Sequence, residues 1–340
     1  MRRGFAAVFI AALILIQVGF FVDNDKLNLQ MSTISKDHEQ GHENQITLDI
    51  LLIGNSYTDY NDLNIKLETI LDDSGQNSDV ESVTGGGMRL SEHSDNANQQ
   101  TSELNQKLSE GHDYVVLQEQ SQVPSFTTSS EFWIESKDAI KDLNERINSE
   151  GGETILLMTW GRMEGTNTER NPDYLTMQLH LQQGYEMYLE NTTTVEKPVF
   201  IAPAGLAFKN IYNQVNVTGI DPSQGENSFS SLYSDGSHPS LDGTYLTSCV
   251  LHAVITGDSP VGENFPDGMS FERALELQEV AADTVFNNTP EYLYPFEIEE
   301  GPGVEFGPDS GSVFAIDPGA LINLNVNYSN LAENNDIVNI

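Results

Sequence analysis

Two short stretches of this chain hold residue types that could cooperate in nucleophilic catalysis. Gly54-Asn55-Ser56-Tyr57-Thr58 closes an apolar run, and Ser234-Asp235-Gly236-Ser237-His238-Pro239-Ser240 lies far downstream. Glycine ahead of a serine lets the chain leave a strand sharply and present a hydroxyl at the strand's carboxyl end. An aspartate and a histidine three apart on a tight turn can meet, the carboxylate accepting from one ring nitrogen. That bond fixes the tautomer and frees the other nitrogen to take a proton from a serine. Each stretch also has a plainer reading. Ser56 could be a turn or cap residue, and Asp235-x-x-His238 a capped loop or part of a metal site.

The elements that must position these residues alternate along the chain. Strand-length apolar runs lie at Leu48–Gly54, Asp79–Thr84, Tyr114–Gln118, Thr154–Thr159 and Pro198–Ala202. Near-continuous apolar runs fit strands covered on both faces. Between and after them, Leu63–Asp72, Ser91–Ser109, Ser130–Glu150, Asp173–Glu190, Leu241–Thr256 and Ser270–Phe286 read as helices. Asn61 or Asp62 could cap the first of these, and Pro239-Ser240 suits the start of the fifth. The βαβα order predicts a three-layer α/β/α sandwich around a parallel five-stranded sheet. Ser56, Trp160 and Arg162 all follow strands, at the rim where open parallel sheets bind ligands.

Composition bounds the partners. The 340 residues carry 15 Lys+Arg against 52 Asp+Glu, a formal net charge of −37. Such a surface repels nucleic acid and anionic headgroups. It suits a solvated acidic coat better than calcium capture, because no EF-hand-like loop occurs. The seven histidines are scattered without H-E-x-x-H, so no metal and no cofactor is expected. Cys249, the single cysteine, sits in an apolar stretch and reads as a small buried residue. Neither G-x-S-x-G nor a Walker A pattern is present, which removes the α/β-hydrolase elbow and nucleotide binding.

Residues 1–25 combine Arg2 and Arg3 with an uncharged apolar run from Gly4 to Val22. That is the pattern of a signal peptide or signal anchor, so export to the surface or medium is expected, with cleavage left open. A polar linker comes next over 26–46, then the main domain over 47–295. Residues 296–340 alternate short apolar segments with Gly, Pro and Asp, as in a β-rich tail or a partial immunoglobulin-like domain.

Taken together, Gly54-Asn55-Ser56-Tyr57-Thr58 and Asp235-Gly236-Ser237-His238-Pro239-Ser240 resemble the first and fifth sequence blocks of the SGNH (GDSL-like) serine hydrolases. The resemblance covers roughly residues 47–290. Asn55 and Tyr57 depart from the usual Gly-Asp-Ser-Leu. Gly85-Gly86-Gly87 stands where the family places its oxyanion-hole glycine, and Gln118-Glu119-Gln120-Ser121 where most members have Gly-x-Asn-Asp. The segments 158–162 and 202–207 resemble a subgroup that shares this Gln-Glu-Gln-Ser version.

This resemblance implies an acyl hydrolase with Ser56 as nucleophile, His238 as base and Asp235 holding the imidazolium. It also implies an oxyanion hole formed by the Ser56 amide, the Gly86 amide and the Gln118 side chain. Tyr57 is then a pocket wall or core residue. Trp160 and Arg162 are a sugar platform and an anion contact, or rim packing. Glu119 orients a neighbour. The expected substrate is a small ester or an O-acylated glycan. The rival is an SGNH-fold surface or carbohydrate-binding module without strong catalysis.

Overall fold

The computed structural model describes residues 47–287 and 292–297. The apolar N-terminal segment, the 26–46 linker and the tail beyond Glu297 lie outside the described residues. The chain divides after Pro295 into two units, and the sheet and its helices belong to the first.

Five strands, β1 (Leu48–Gly54), β2 (Ser78–Thr84), β3 (Tyr114–Leu117), β4 (Glu153–Leu157) and β5 (Val199–Ala202), form one sheet. Their order is β2-β1-β3-β4-β5 and every pairing is parallel. The register sets Gly54 beside Thr84 and Ile53 beside Leu117. The loops after β1, β2 and β3 therefore leave the sheet level with one another. The order also reverses between β1 and β3, and a crevice at such a switch point is where open α/β sheets hold ligands.

The helices are α1 (Ser56–Asp59), α2 (Leu63–Asp73), α3 (Leu90–Ala97), α4 (Glu103–Glu110), α5 (Glu131–Ser149), α6 (Tyr174–Thr192), α7 (Ala204–Asn216), α8 (Leu241–Thr256) and α9 (Phe271–Phe286). Alternate strand residues feed two cores, since successive side chains point to opposite faces. Ile50, Leu52, Val116, Ile155 and Phe200 pack with α2, α7, α8 and α9. Leu51, Ile53, Val115, Leu117 and Ile201 pack with α3, α4, α5 and the latter half of α6. This is the predicted three-layer sandwich.

Two helical stretches differ from expectation, each for a local reason. The predicted helix over 91–109 is broken at Asn98-Gln99-Gln100-Thr101-Ser102. Ser102 accepts from Asn105 N at 3.0 Å and donates to Asn96 O, so it starts a second helix instead of continuing the first. Helix α7 carries no start signal, because Pro203 precedes it and no side chain caps it. It packs closely all the same. A Cβ on Gly205 would lie 2.2 Å from Thr159 O. Among the described residues no helix is long and apolar enough to cross a membrane.

Candidate active site

Strand β1 ends in a turn built around one buried acceptor. The Asn55 amide and the Thr58 hydroxyl both donate to Gln118 Oε1, each at 2.9 Å. A Cβ on Gly54 would sit 2.4 Å from Thr58 Oγ1 and 2.6 Å from Gln118 Oε1, so only glycine fits there. The Asn55 side chain accepts from Tyr57 N at 3.1 Å, capping α1, and donates to Met88 O at 2.9 Å. Gly54 O accepts from Gly85 N at 3.2 Å and from His93 Nε2 at 2.7 Å. A carbonyl needs a donor, so His93 carries its proton on Nε2. Burial lowers the His93 pKa, which keeps this ring neutral. Ser56 emerges half-buried at the start of α1.

The second stretch reaches Ser56 from the other side. Asp235 Oδ1 accepts from the amides of Ser237 and His238 at 2.9 and 2.7 Å, which folds the loop back on itself. Asp235 Oδ2 accepts from His238 Nδ1 at 2.8 Å. With Nδ1 protonated, Nε2 is the acceptor, and it lies 3.0 Å from Ser56 Oγ. Partial burial raises the Asp235 pKa. The bonds from the His238 ring and the two amides outweigh it and hold the carboxyl below its ordinary value. Pairing of Tyr233 with Pro239 and the bond from Ser240 N to Leu232 O close the loop at the head of α8. The structure thus brings Ser56, His238 and Asp235 into one hydrogen-bonded chain.

Aromatic rings fix the imidazole. Tyr60 stacks on His238 with centroids 4.4 Å apart, and Tyr57 meets the same ring edge-on at 5.6 Å. Tyr57, Trp160 and Phe208 form a continuous stack, with spacings of 5.0 and 4.3 Å. Trp160 Nε1 donates to Ser237 O at 3.1 Å. This corrects the reading of Trp160 as a sugar platform. It is 1% exposed and both its faces are covered, so it braces the histidine loop from inside. Tyr57 is 3% exposed and does the same. The aromatic that reaches solvent is Tyr60, 38% exposed, which nothing in the sequence singles out.

Gln118 also differs from expectation. Instead of offering its amide to an oxyanion, it turns its oxygen to the β1 turn, and its amide donates to Glu119 O. The assignment of oxygen and nitrogen is forced, because the Asn55 N–H can only be met by an acceptor. The backbone explains this. Gln118 N still bonds Ile53 O at 2.8 Å, so the residue continues the β3 alternation and turns under the end of β1.

Gln120, two residues on, is half-buried. Its oxygen accepts from Gln122 N at 2.8 Å, and its amide nitrogen has no partner among the described residues. Gly86 sits in an exposed turn closed by Met88 N to Gly85 O. The Gly85 amide is already used by Gly54 O. The amides of Ser56 and Gly86 have no partner among the described residues.

Glu119 is fully buried. Its Oε1 accepts from Leu90 N at 3.1 Å and Gln120 N at 2.5 Å, while Oε2 is met by the Ser136 hydroxyl. It therefore ties the start of α3, just past the glycine turn, to the β3 loop. Burial pushes its pKa up to about 7, against the pull of these donors and of Arg89. Arg162 donates from Nη2 to Ser121 Oγ at 3.2 Å. Among the described residues no group of three or more His, Cys, Asp or Glu could hold a metal ion.

No family model and no curated protein matches the chain. Solved structures do. A DUF4886 family protein from Bacteroides uniformis is 15% identical over 74% of this chain and 99% of its own, with a TM-score of 0.58. A candidate SGNH hydrolase from Slackia heliotrinireducens is 22% identical over 61% of this chain and 98% of its own, at 0.47. A variant of the acetyl xylan esterase Axe2 from Geobacillus stearothermophilus is 13% identical over 61% and 93%, at 0.41. At these identities the first likeness shows the fold and no more. The chain has a three-layer α/β/α fold, with Ser56, His238 and Asp235 hydrogen-bonded in series at its switch point.

Proposed function

We propose that this chain is an SGNH-type serine esterase working through Ser56, His238 and Asp235. The observation that carries the reading is the continuous path from Ser56 Oγ through His238 to Asp235, at 3.0 and 2.8 Å. In this mechanism His238 Nε2 takes the hydroxyl proton as Ser56 attacks an ester carbonyl, then returns it to the leaving alkoxide. Water, deprotonated by the same nitrogen, releases the acid. Asp235 stays ionised and fixes the Nδ1–H tautomer. Charge on the tetrahedral oxygen is met by the Ser56 amide, the Gly86 amide and the side-chain amide of Gln120.

The assignments of Gln118 and Gln120 separate in one experiment. Gln120→Ala is expected to lower kcat by ~10²–10³, the usual effect of losing an oxyanion donor, with stability little changed. Gln118→Leu strands two buried donors, so its main effect is a loss of ~2–5 kcal/mol in stability. Urea unfolding beside steady-state kinetics distinguishes the two. A kcat defect confined to Gln118→Leu would reverse the roles.

The hydrolase reading is tested by labelling the full chain with a fluorophosphonate. The expected result is one adduct, on the peptide containing Ser56, with acetyl-ester hydrolysis lost in proportion. No adduct together with a buffer-level rate sinks the reading and favours the binding-module alternative. We further place the protein outside the cell, acting on small esters or O-acylated glycans. The apolar N-terminus supports export, and Tyr60 beside His238 supports a ring-bearing substrate. Surface digestion of intact cells and assay of the medium test export, and mass spectrometry of the recovered protein tests cleavage, since a start at Met1 or Arg2 excludes signal-peptide removal. Acetate release from acetylated xylan tests the glycan.

A further inference from the structure

Arg162, after β4, reaches across to Ser121 in the loop after β3. Its Nη2 donates to Ser121 Oγ at 3.2 Å, and both groups interact with the Tyr57 hydroxyl. That hydroxyl also meets Ser237 Oγ at 2.7 Å. Tyr57 follows Ser56 and Ser237 precedes His238, so this cluster adjoins both partners of the Ser56–His238 bond. The loop carrying Arg162 is pinned to the histidine loop by Met163 N to Gly236 O at 2.8 Å.

The charge of Arg162 is unbalanced. Its Nε is buried and has no hydrogen-bond partner among the described residues. Its side-chain contacts are to neutral hydroxyls, those of Ser121 and Tyr57. The ion pairs among the described residues use Arg89, Lys107, Lys137, His238 and Arg273, and leave Arg162 out. This happens in a chain with 52 carboxylates against 15 basic residues. A half-buried cation without a counter-ion costs free energy that an arriving anion offsets. The guanidinium fork matches a carboxylate. A monoanion also meets less repulsion from the −37 surface than a phosphate dianion does.

We propose that Arg162 anchors a carboxylate carried by the ester substrate, so that the preferred substrates are acylated acids, such as an O-acetylated uronic acid residue. This rests on the esterase reading and adds a substrate class to it. The test compares 4-acetoxybenzoate with its neutral isostere 4-acetoxybenzamide in 0.15 M salt, where remote charges are screened beyond ~8 Å.

The wild-type chain is expected to favour the carboxylate in kcat/KM by roughly 10- to 100-fold, the range of a charged hydrogen bond. In Arg162→Gln the ratio should fall to about one, and Arg162→Lys should keep part of it. Equal rates for the two esters in the wild type, or a preference that survives in Arg162→Gln, overturn the proposal. If neither ester is cleaved faster than by Ser56→Ala, the esterase reading fails. The anion site is then judged by calorimetry with benzoate and benzamide. Benzoate binding that disappears in Arg162→Gln supports the site, and no benzoate binding by the wild type removes it.

Discussion

His238→Ala is expected to lower kcat on an activated acetyl ester by ~10⁴–10⁶, and adding Ser56→Ala to it should cost almost nothing more. The single and double variants behave alike because one proton path serves both residues. Without Nε2 at 3.0 Å, the Ser56 hydroxyl has no base and attacks no faster than water. Without the hydroxyl, the imidazole has nothing to activate. Asp235→Asn should fall short of this, at ~10²–10⁴. Its amide would face Nδ1 and turn the ring to the tautomer that donates to Ser56 instead of accepting. The Asp235 side chain is 52% exposed, so water can supply part of what the carboxylate gave. Steady-state kinetics on the wild type, the two single alanine variants, their double and Asp235→Asn decide the matter. Additive losses, with the double variant worse by the product of the singles, would mean that Ser56 and His238 act separately.

The sequence reveals the parts of the site that depend on local chemistry. Strand β1 and helix α8 fall where the apolar runs predict them, with Gly54 ending one and Ser240 capping the other through Gly243 N. Asp235 and His238 are three apart, so their contact is a property of one turn. The parts that misread are set by tertiary packing. Whether Trp160 faces solvent depends on Phe208 and Tyr57, which arrive from α7 and α1 and close both its faces. Helix α7 itself has no start signal to read. Gln118 resembles an oxyanion amide because it is the first amide after a strand. Its direction is decided by the buried Asn55 amide on the neighbouring strand, which only an acceptor can satisfy. That demand leaves the unengaged amide at Gln120.

The acid side of the stability curve should come from two buried groups that oppose each other. Glu119 is pushed up to about 7 by burial, above an unfolded value near 4.5. The stability it contributes is full below pH 4.5 and is lost as pH rises through 7. His252 is pushed down to about 4 by burial, below an unfolded value near 6.5, and neither of its ring nitrogens has a partner among the described residues. Its contribution is full above pH 6.5 and is lost as pH falls through 4. Each displacement corresponds to about 3 kcal/mol. The slopes cancel over much of pH 4.5–6.5, so the wild-type curve alone hides both.

Glu119→Gln removes one slope while keeping the hydrogen bonds. The new oxygen accepts from Leu90 and Gln120, and the new amide donates to Ser136 Oγ. This variant should gain on the wild type as pH rises from 5 to 8, and should keep its ester hydrolysis within a few-fold. His252→Leu removes the other slope and should gain as pH falls from 7 to 5. Urea unfolding at pH 5, 6, 7 and 8 reads both differences directly. A Gln variant that parallels the wild type across this range would mean that Glu119 is ionised throughout. The strut between α3 and the β3 loop would then be a permanent carboxylate held by its three donors.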